Sequence, residues 1–381
     1  MQDVRIVIGA NYGDEGKGLM TDFFAAQAVK EGKRVLVIPS NGGAQRGHTV
    51  TTPEGVRHVF QHFGSGTLAG ADTWSPRFFI VNPMIFMNEY EKLKAEGAGD
   101  FHVAFDPECP ISTPFDMITN QILEEHRGNA RHGSCGIGIW ETLIRQGKLL
   151  GEMLAMSDAE IKNYINTDCR NQMLKRLSDN GILNIPDRWR DIIDDEGLID
   201  NFIYDLRAMS DIAVIRDGDI LGEYDRLIFE NGQGLLLDRS HREYAPHTTP
   251  SNTGFRNPAQ LIRENLKGMQ GDVECCYVTR TYLTRHGAGP FNEECLKEDI
   301  NANMKDLTNV PNPHQGTIRY GKPNEKAILK RIREDFDSEV LPEGFIKRMA
   351  IAVTHVNEYH SGIVEFGDYI SDGETREDVT N

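Results

Sequence analysis

Two acids and a lysine inside a glycine-rich turn are the residues best placed to do chemistry. The chain reads Val4-Arg-Ile-Val-Ile8, then Gly9-Ala-Asn-Tyr-Gly-Asp-Glu-Gly-Lys-Gly18, then a helical pattern. Strand, glycine turn and helix in that order make a phosphate cradle. Glycines let the backbone come close, the helix start offers unpaired N–H groups and a positive dipole end, and Lys17 adds charge. The turn is not a Walker A motif, because Gly18 stands where Ser or Thr should follow the lysine. Asp14 and Glu15 do not suit a plain anion site. Acids in such a turn hold a metal or move a proton. The bland alternative is a tight connection in which Asp14 only forms a local turn.

A second polar turn, Asn41-Gly-Gly-Ala-Gln-Arg-Gly-His-Thr49, follows the apolar run Val35-Leu-Val-Ile38. It sets Gln45, Gly47, His48 and Thr49 at the carboxyl end of a strand, the edge where open α/β sheets bind ligands. Further glycine-rich stretches are His132-Gly-Ser-Cys-Gly-Ile-Gly138, Glu230-Asn-Gly-Gln-Gly234 through Asp238 with 244–252, and 279–291 with 314–321. Each alone is an ordinary loop. Together they fit several turns converging on one cleft, as a multi-substrate nucleotide enzyme needs.

The elements that must position these turns follow from periodicity. Leu19, Met20, Phe23, Phe24, Gln27 and Val29 fall near helical spacing, and Gly32 stops that helix. Strand, helix, strand gives a βαβ unit and a parallel sheet. Further strands are expected at 78–81, 227–230, 275–281 and 349–353, alternating with helical stretches. The fold class is therefore α/β, a largely parallel doubly wound sheet with helical insertions. One insertion is expected at about 150–225, where Ser157-Asp-Ala-Glu160 is a capping box and Pro186 breaks the helical run. No linker or repeat divides residues 1–381, so a single domain is expected.

The chain has 381 residues, 39% hydrophobic and 26% charged, with no apolar run long enough to span a membrane. The N-terminus opens directly on a strand pattern, with no signal peptide expected. Six cysteines show no C-x-x-C pair or metal-ligand spacing, which predicts reduced thiols and a cytoplasmic setting, with zinc not expected. A net charge of −17 opposes binding to nucleic acid or anionic membranes. Acid gathers at 191–200 and 365–378, expected to be solvated surface or a partly frayed tail.

The ordered motifs Gly13-Asp-Glu-Gly-Lys-Gly18, Gly47-His-Thr49, Gly133-Ser-Cys-Gly136, Gly232-Gln-Gly234 with Asp238, 246–249 with Ser251-Asn252, and Thr284-Arg-His-Gly-Ala-Gly-Pro-Phe291 resemble adenylosuccinate synthetase. The resemblance runs from the first strand to about Val353. It implies a P-loop-like fold and a usually homodimeric ligase that joins L-aspartate to a purine 6-oxo nucleotide, cleaving a nucleoside triphosphate with Mg²⁺. A purine O6 leaves poorly, so it is first phosphorylated after a base removes the N1 proton. By resemblance Asp14 is that base and a metal ligand, with the Gly47 carbonyl also on the metal. His48 acts as acid or stabilising cation. Gly13, Glu15, Gly16, Lys17, Gly18 and Thr49 complete the phosphate site. Gln45, Ser134, Cys135, Gln233 and Thr249 face the acceptor nucleotide, Gln233 with a catalytic part.

Departures from the family bear on substrate. An arginine-rich run that holds aspartate and touches the acceptor ribose is replaced by His314-Gln-Gly-Thr-Ile-Arg-Tyr-Gly321. Gly316, Thr317 and Arg319, with Arg285, are the expected aspartate and ribose contacts, and Arg280 is a further candidate. A neutral Thr317 in place of an arginine relaxes selection for a 2′-hydroxyl. Thr354-His-Val-Asn357 replaces a Thr-Lys-x-Asp sequence whose carboxylate recognises guanine. Asn357, with Thr354 and His355, favours ATP over GTP. Cys135 stands where the family has threonine. These changes resemble the phage and archaeal branch that makes diaminopurine DNA precursors from dGMP. Some phage members lose the catalytic Asp, whereas Asp14 is present, which keeps IMP with GTP as the alternative. A catalytically inactive nucleotide-binding regulator and a nucleotide kinase are the readings of other kinds.

Overall fold

The computed structural model describes residues 1–304 and 317–381. Its centre is a ten-stranded sheet. From one edge to the other the strands are Val379–Thr380, Tyr369–Ser371, Phe345–Thr354, Gly271–Arg280, Gln2–Gly9, Arg226–Glu230, Val35–Pro39, Asp72–Ser75, Val103–Phe105 and Val214–Ile215. All neighbours are parallel except the last pair at one edge, Tyr369–Ser371 with Val379–Thr380. Gln2–Gly9 lies between Arg226–Glu230 and Gly271–Arg280, with Val7 opposite both Glu230 and Cys276. That register brings the carboxyl ends of three strands, and so three glycine-rich turns, to one rim.

The central strands read as apolar runs because helices cover both faces. Val4, Ile6 and Ile8 pack on one side with Leu227, Phe229, Val273 and Ile351. Val7 and Val37 pack on the other against Leu19, Met20 and Phe24 of the helix Lys17–Lys30. The expected stripe is corrected in part. Gln27 and Val29 face solvent, and Ala25 and Ala28 are the buried residues of the last turns. Gly32, at φ 78°, ends the helix, donating to the Val29 carbonyl while Lys33 donates to Ala28.

Three expectations change. Among the described residues Phe79–Ile80 pairs with Gly42–Gly43, outside the main sheet. Asp72–Ser75 and Val103–Phe105 fill the sheet instead, too short and mixed to show a strand period. The acidic tail is not frayed. Tyr369–Ser371 and Val379–Thr380 extend the sheet, and Arg376 pairs with buried Asp22 at 2.9 Å.

Helices run from Ile139–Arg145 to Glu196–Ile212, with the Ser157 capping box present and Pro186 before Asp187–Ile193. They share one apolar core with Phe63, Phe86, Phe105 and Phe115 beside the sheet. Val214–Ile215 then returns the chain to the sheet edge. No helix among the described residues is long and apolar enough to cross a membrane. The six cysteines are unpaired.

Candidate active site

The turn after Gln2–Gly9 is built around Glu15. Its carboxylate accepts from the backbone of Asn11 at 3.0 Å and Gly13 at 2.8 Å, and from the Lys17 ammonium at 2.7 Å. Glu15 and Lys17 are both buried. Lys17 therefore supplies its charge from inside the turn, while the first-turn amides of its helix have no intrahelical acceptor. Outer contacts brace the same turn. Thr354 donates to the Glu15 carbonyl at 2.8 Å, Arg331 to Ala10 and Asn11, and Arg280 to the Asp14 carbonyl. Gly13 and Gly16 take positive φ, and Asp14 does so at 59°. A Cβ at Gly9 would lie 2.4 Å from Glu15 Oε2 and 2.6 Å from the Gln233 carbonyl, so that position has no room for a side chain.

Asp14 turns outward. Its carboxylate is 3.0 Å from Nε2 of His286, and both side chains are about one-third exposed. Burial of the group opposes its charge, but His286 first, then Arg280 and Lys17, hold its pKa well below the usual carboxylate range. Asp14 is an anion at neutral pH.

The second turn meets the first at Gly18. A Cβ there would sit 2.8 Å from the Thr49 carbonyl and 3.2 Å from the His48 Cβ. His48 begins the hairpin strand His48–Thr51 and is 8% exposed. Its Nδ1 is 2.7 Å from Oε1 of Glu230, a fully buried acid at the end of the strand Arg226–Glu230. Glu230 also pairs with Arg46 at 3.2 Å and accepts from the backbone and hydroxyl of Ser65. Burial pushes its pKa up, yet Arg46 and then His48 bring it down to about 2. A carboxylate cannot donate, so His48 gives its Nδ1 hydrogen to Glu230 and directs Nε2 away from it. Burial lowers the His48 pKa against the pull of Glu230.

Gln233, at φ 59°, and Gln45 flank Gly42. The Gln233 Oε1 accepts from Asn41 at 3.5 Å, and a Cβ on Gly42 would meet Gln45 Nε2 at 3.0 Å. Both polar atoms of Gln45 are buried without a partner among the described residues. Thr249 is half-buried and fixed through its amide to the Leu237 carbonyl. The loop bearing Ser134 and Cys135 is clamped from behind by Glu124, which accepts from the amides of His132, Gly133 and Ser134 at 2.8–3.3 Å. Ser134 donates to Asn120 at 2.8 Å, and burial pushes the half-buried Cys135 thiol up to about 11. Gly133 packs on Gly287 and Ala288, which joins this loop to the one carrying His286.

The expected aspartate contacts Arg285 and Arg319 both bond carbonyls of the protein itself. Arg285 is buried, with its guanidinium on the carbonyls of Pro290, Ala288 and His247 and over the Tyr12 ring. Arg319 is held by Glu294 and by the Gly287 and Gly289 carbonyls. Both arginines fasten the segment 286–290. Thr317 is exposed, and Gly316 lies outside the described residues together with His314. At the far end, Thr354 faces the phosphate turn, its neighbour His355 at φ 60° has its carbonyl bonded by Thr281, and Asn357 is exposed.

Three functional candidates were missed by sequence reasoning. Glu230 carried a signal, an acid closing the apolar run Leu227-Ile-Phe229. His286 carried none, because its partner Asp14 lies far away in sequence, and Glu124 carried none, because its bonds to the amides of 132–134 depend on how the chain turns back after its helix.

Among the described residues no group of three or more His, Cys, Asp or Glu encloses a metal. Asp14 and the exposed Gly47 carbonyl offer one carboxylate and one carbonyl. Mg²⁺ is commonly held by such a sparse protein set, with phosphates and water completing the shell, so these donors fit it.

Fold and site together define an α/β protein of largely parallel sheet, in which an acid and a histidine come to one glycine-rich strand-to-helix turn. The sequence matches the adenylosuccinate synthetase family over residues 6–312, and the chain belongs to that family. The adenylosuccinate synthetase of Lactobacillus acidophilus is 28% identical over 300 residues, and that of Chromohalobacter salexigens 29% over 304. Each match covers 77% of this chain and 65% of the relative, so the chain spans just under two thirds of these relatives' length. Among solved structures, the fully ligated adenylosuccinate synthetase of Plasmodium falciparum aligns with a TM-score of 0.67 at 18% identity, covering 93% of this chain and 77% of that one. Succinoaminodeoxyadenylate synthetase of cyanophage S-2L, bound to dGMP and dATP, aligns with a TM-score of 0.63 at 14% identity, covering 100% and 95%. These two likenesses show the fold.

Proposed function

We propose that the protein is a ligase that joins L-aspartate to C6 of a purine nucleotide through a 6-phosphoryl intermediate, with dGMP as acceptor and ATP as phosphoryl donor. The observation that carries the reaction class is the convergence of Asp14 and the Glu230-backed His48 on one phosphate turn. Asp14, ionised and outward-facing, accepts the N1 proton of the acceptor ring. His48, aimed by Glu230, meets the oxygen that gains charge as O6 takes the phosphoryl group. Gln45 and Gln233 orient the ring beside Gly42. Mg²⁺ on Asp14 and the Gly47 carbonyl would neutralise phosphate charge. The aspartate amine then forms the C6–N bond as phosphate leaves with the C6–O bond.

The choice of dGMP and ATP rests on Thr317 and Asn357, and it gains support from the cyanophage structure, whose ligands are dGMP and dATP. The reading with IMP and GTP is favoured by one observation, the presence of Asp14 with His286 on its carboxylate. A soluble enzyme acting on small molecules as a homodimer, without nucleic acid or membrane partners, completes the proposal. The test is the product. Mass spectrometry after incubation with dGMP, ATP, Mg²⁺ and aspartate should show an N6-succino adduct that disappears when aspartate is omitted. Phosphoryl transfer that proceeds without aspartate would instead identify a kinase.

A further inference from the structure

The contact between Asp14 and His286 is not required for N1 deprotonation, yet it is firmly built. The Nε2–Oδ2 distance is 3.0 Å. A carboxylate only accepts, so Nε2 carries the hydrogen and donates it. Asp14 is fixed by its left-handed backbone and by Arg280 on its carbonyl. His286 follows Arg285, which is buried and bonded to three carbonyls, and precedes Gly287, packed against Gly133. Both side chains are about one-third exposed, so the pair is open to solvent and to a ligand.

A 6-oxopurine presents its N1–H to Asp14. The neighbouring C2 carries only hydrogen in hypoxanthine but an amino group in guanine. The guanine N1–H and one N2–H point the same way, at a spacing that suits the two oxygens of one carboxylate. Hypoxanthine needs one oxygen and leaves Oδ2 with His286. Guanine brings a second donor to the oxygen that His286 already holds.

We propose that His286 is a specificity-determining residue that acts on the acceptor's C2 substituent, because it occupies the Asp14 oxygen that a 2-amino group would use. The inference rests on the reading of Asp14 as the group facing N1. A 2-aminopurine must share that oxygen's lone pairs with the imidazole or displace it, and a hypoxanthine need not. Removing the imidazole therefore favours guanine-type acceptors over hypoxanthine-type ones, whichever the native protein prefers.

The test compares dGMP and dIMP, which share ribose and 5′-phosphate and differ only at C2. Their dissociation constants are measured by titration calorimetry for wild type, His286→Ala and His286→Gln. His286→Ala should shift the affinity ratio toward dGMP by about tenfold, the size of one charge-assisted contact. His286→Gln, which keeps a donor, should stay close to the wild-type ratio. General damage weakens both ligands together and leaves the ratio unmoved. An unchanged ratio in His286→Ala, or a shift toward dIMP, overturns the proposal while leaving the ligase reading intact. Failure of both nucleotides to bind all three proteins removes the ligase reading and this inference with it.

Discussion

His48 and Glu230 meet at 2.7 Å, although 182 residues separate them and one begins a hairpin strand while the other ends a central strand. Glu230 also holds Arg46 and Ser65, so one buried carboxylate fixes the histidine, a neighbouring guanidinium and the chain at Ser65. Glu230→Gln keeps the volume and loses the charge. It should lower kcat by roughly a hundredfold, since an oriented proton-transfer or charge-stabilising group contributes on that order. Glu230→Ala should cost about 3–5 kcal/mol of stability as well, because Arg46 is left buried and unpaired. Steady-state kinetics and denaturant unfolding separate the two effects.

Asp14→Ala and His48→Ala should each reduce aspartate-dependent phosphate release by orders of magnitude while the protein stays folded. Asp14 is about one-third exposed and His48 stands on a hairpin strand outside the main sheet, so neither truncation opens the main core. Far-UV circular dichroism with the activity assay checks both halves. Equal inactivity of wild type and both variants would favour the inactive regulator.

The close approach at Gly18 predicts a binding defect. Gly18→Ala puts a methyl 2.8 Å from the Thr49 carbonyl, which must push the first helical turn away from the His48 strand. Nucleoside triphosphate affinity should fall at least tenfold, with a stability loss of about 1–3 kcal/mol. Gly55, in the turn of that hairpin, has nothing within reach of an added Cβ but has φ 87°, so Gly55→Ala controls for backbone strain. It should leave triphosphate affinity unchanged, as nucleotide titration of the two variants would show.

Away from the cleft, buried Glu89 accepts from the backbone of Gln61, His62 and Phe63 and sits between His58 and His62. Burial raises its pKa, but the two histidines and the backbone donors outweigh that and bring it to about 2 from an ordinary 4.5. A depressed carboxylate contributes stability that is present above the unfolded pKa and lost as pH falls through the folded one. Unfolding free energy should therefore drop by roughly 3 kcal/mol between about pH 4.5 and 2 through this group. Glu89→Gln should flatten that part of the pH–stability curve, measured by urea unfolding at successive pH values.

Local sequence rules reached the parts of the molecule that are local. The run Val4 to Ile8, the turn glycines and the Gly32 stop each follow from a few adjacent residues, and the structure has them in those places. Asp72–Ser75 and Val103–Phe105 were not legible, because three or four residues show no period and their place comes from pairing with strands elsewhere. The tail strands were hidden for a similar reason, since acidic composition speaks of solvation and not of an edge that accepts a strand. Within the site, Asp14 and His48 could be picked out by type and setting. Of their partners, Glu230 was marked only by its place at a strand end and His286 by nothing local, and Arg285 and Arg319, expected as ligand contacts, bond carbonyls of the protein itself.

The central claim concerns which nucleotides this site takes, and a single crossed assay addresses it. Phosphate release is measured with aspartate and Mg²⁺ for dGMP, GMP, IMP and dIMP, each with ATP and with GTP. The account predicts the highest kcat/KM for dGMP with ATP, and no release when aspartate is left out. A preference for IMP with GTP would contradict it.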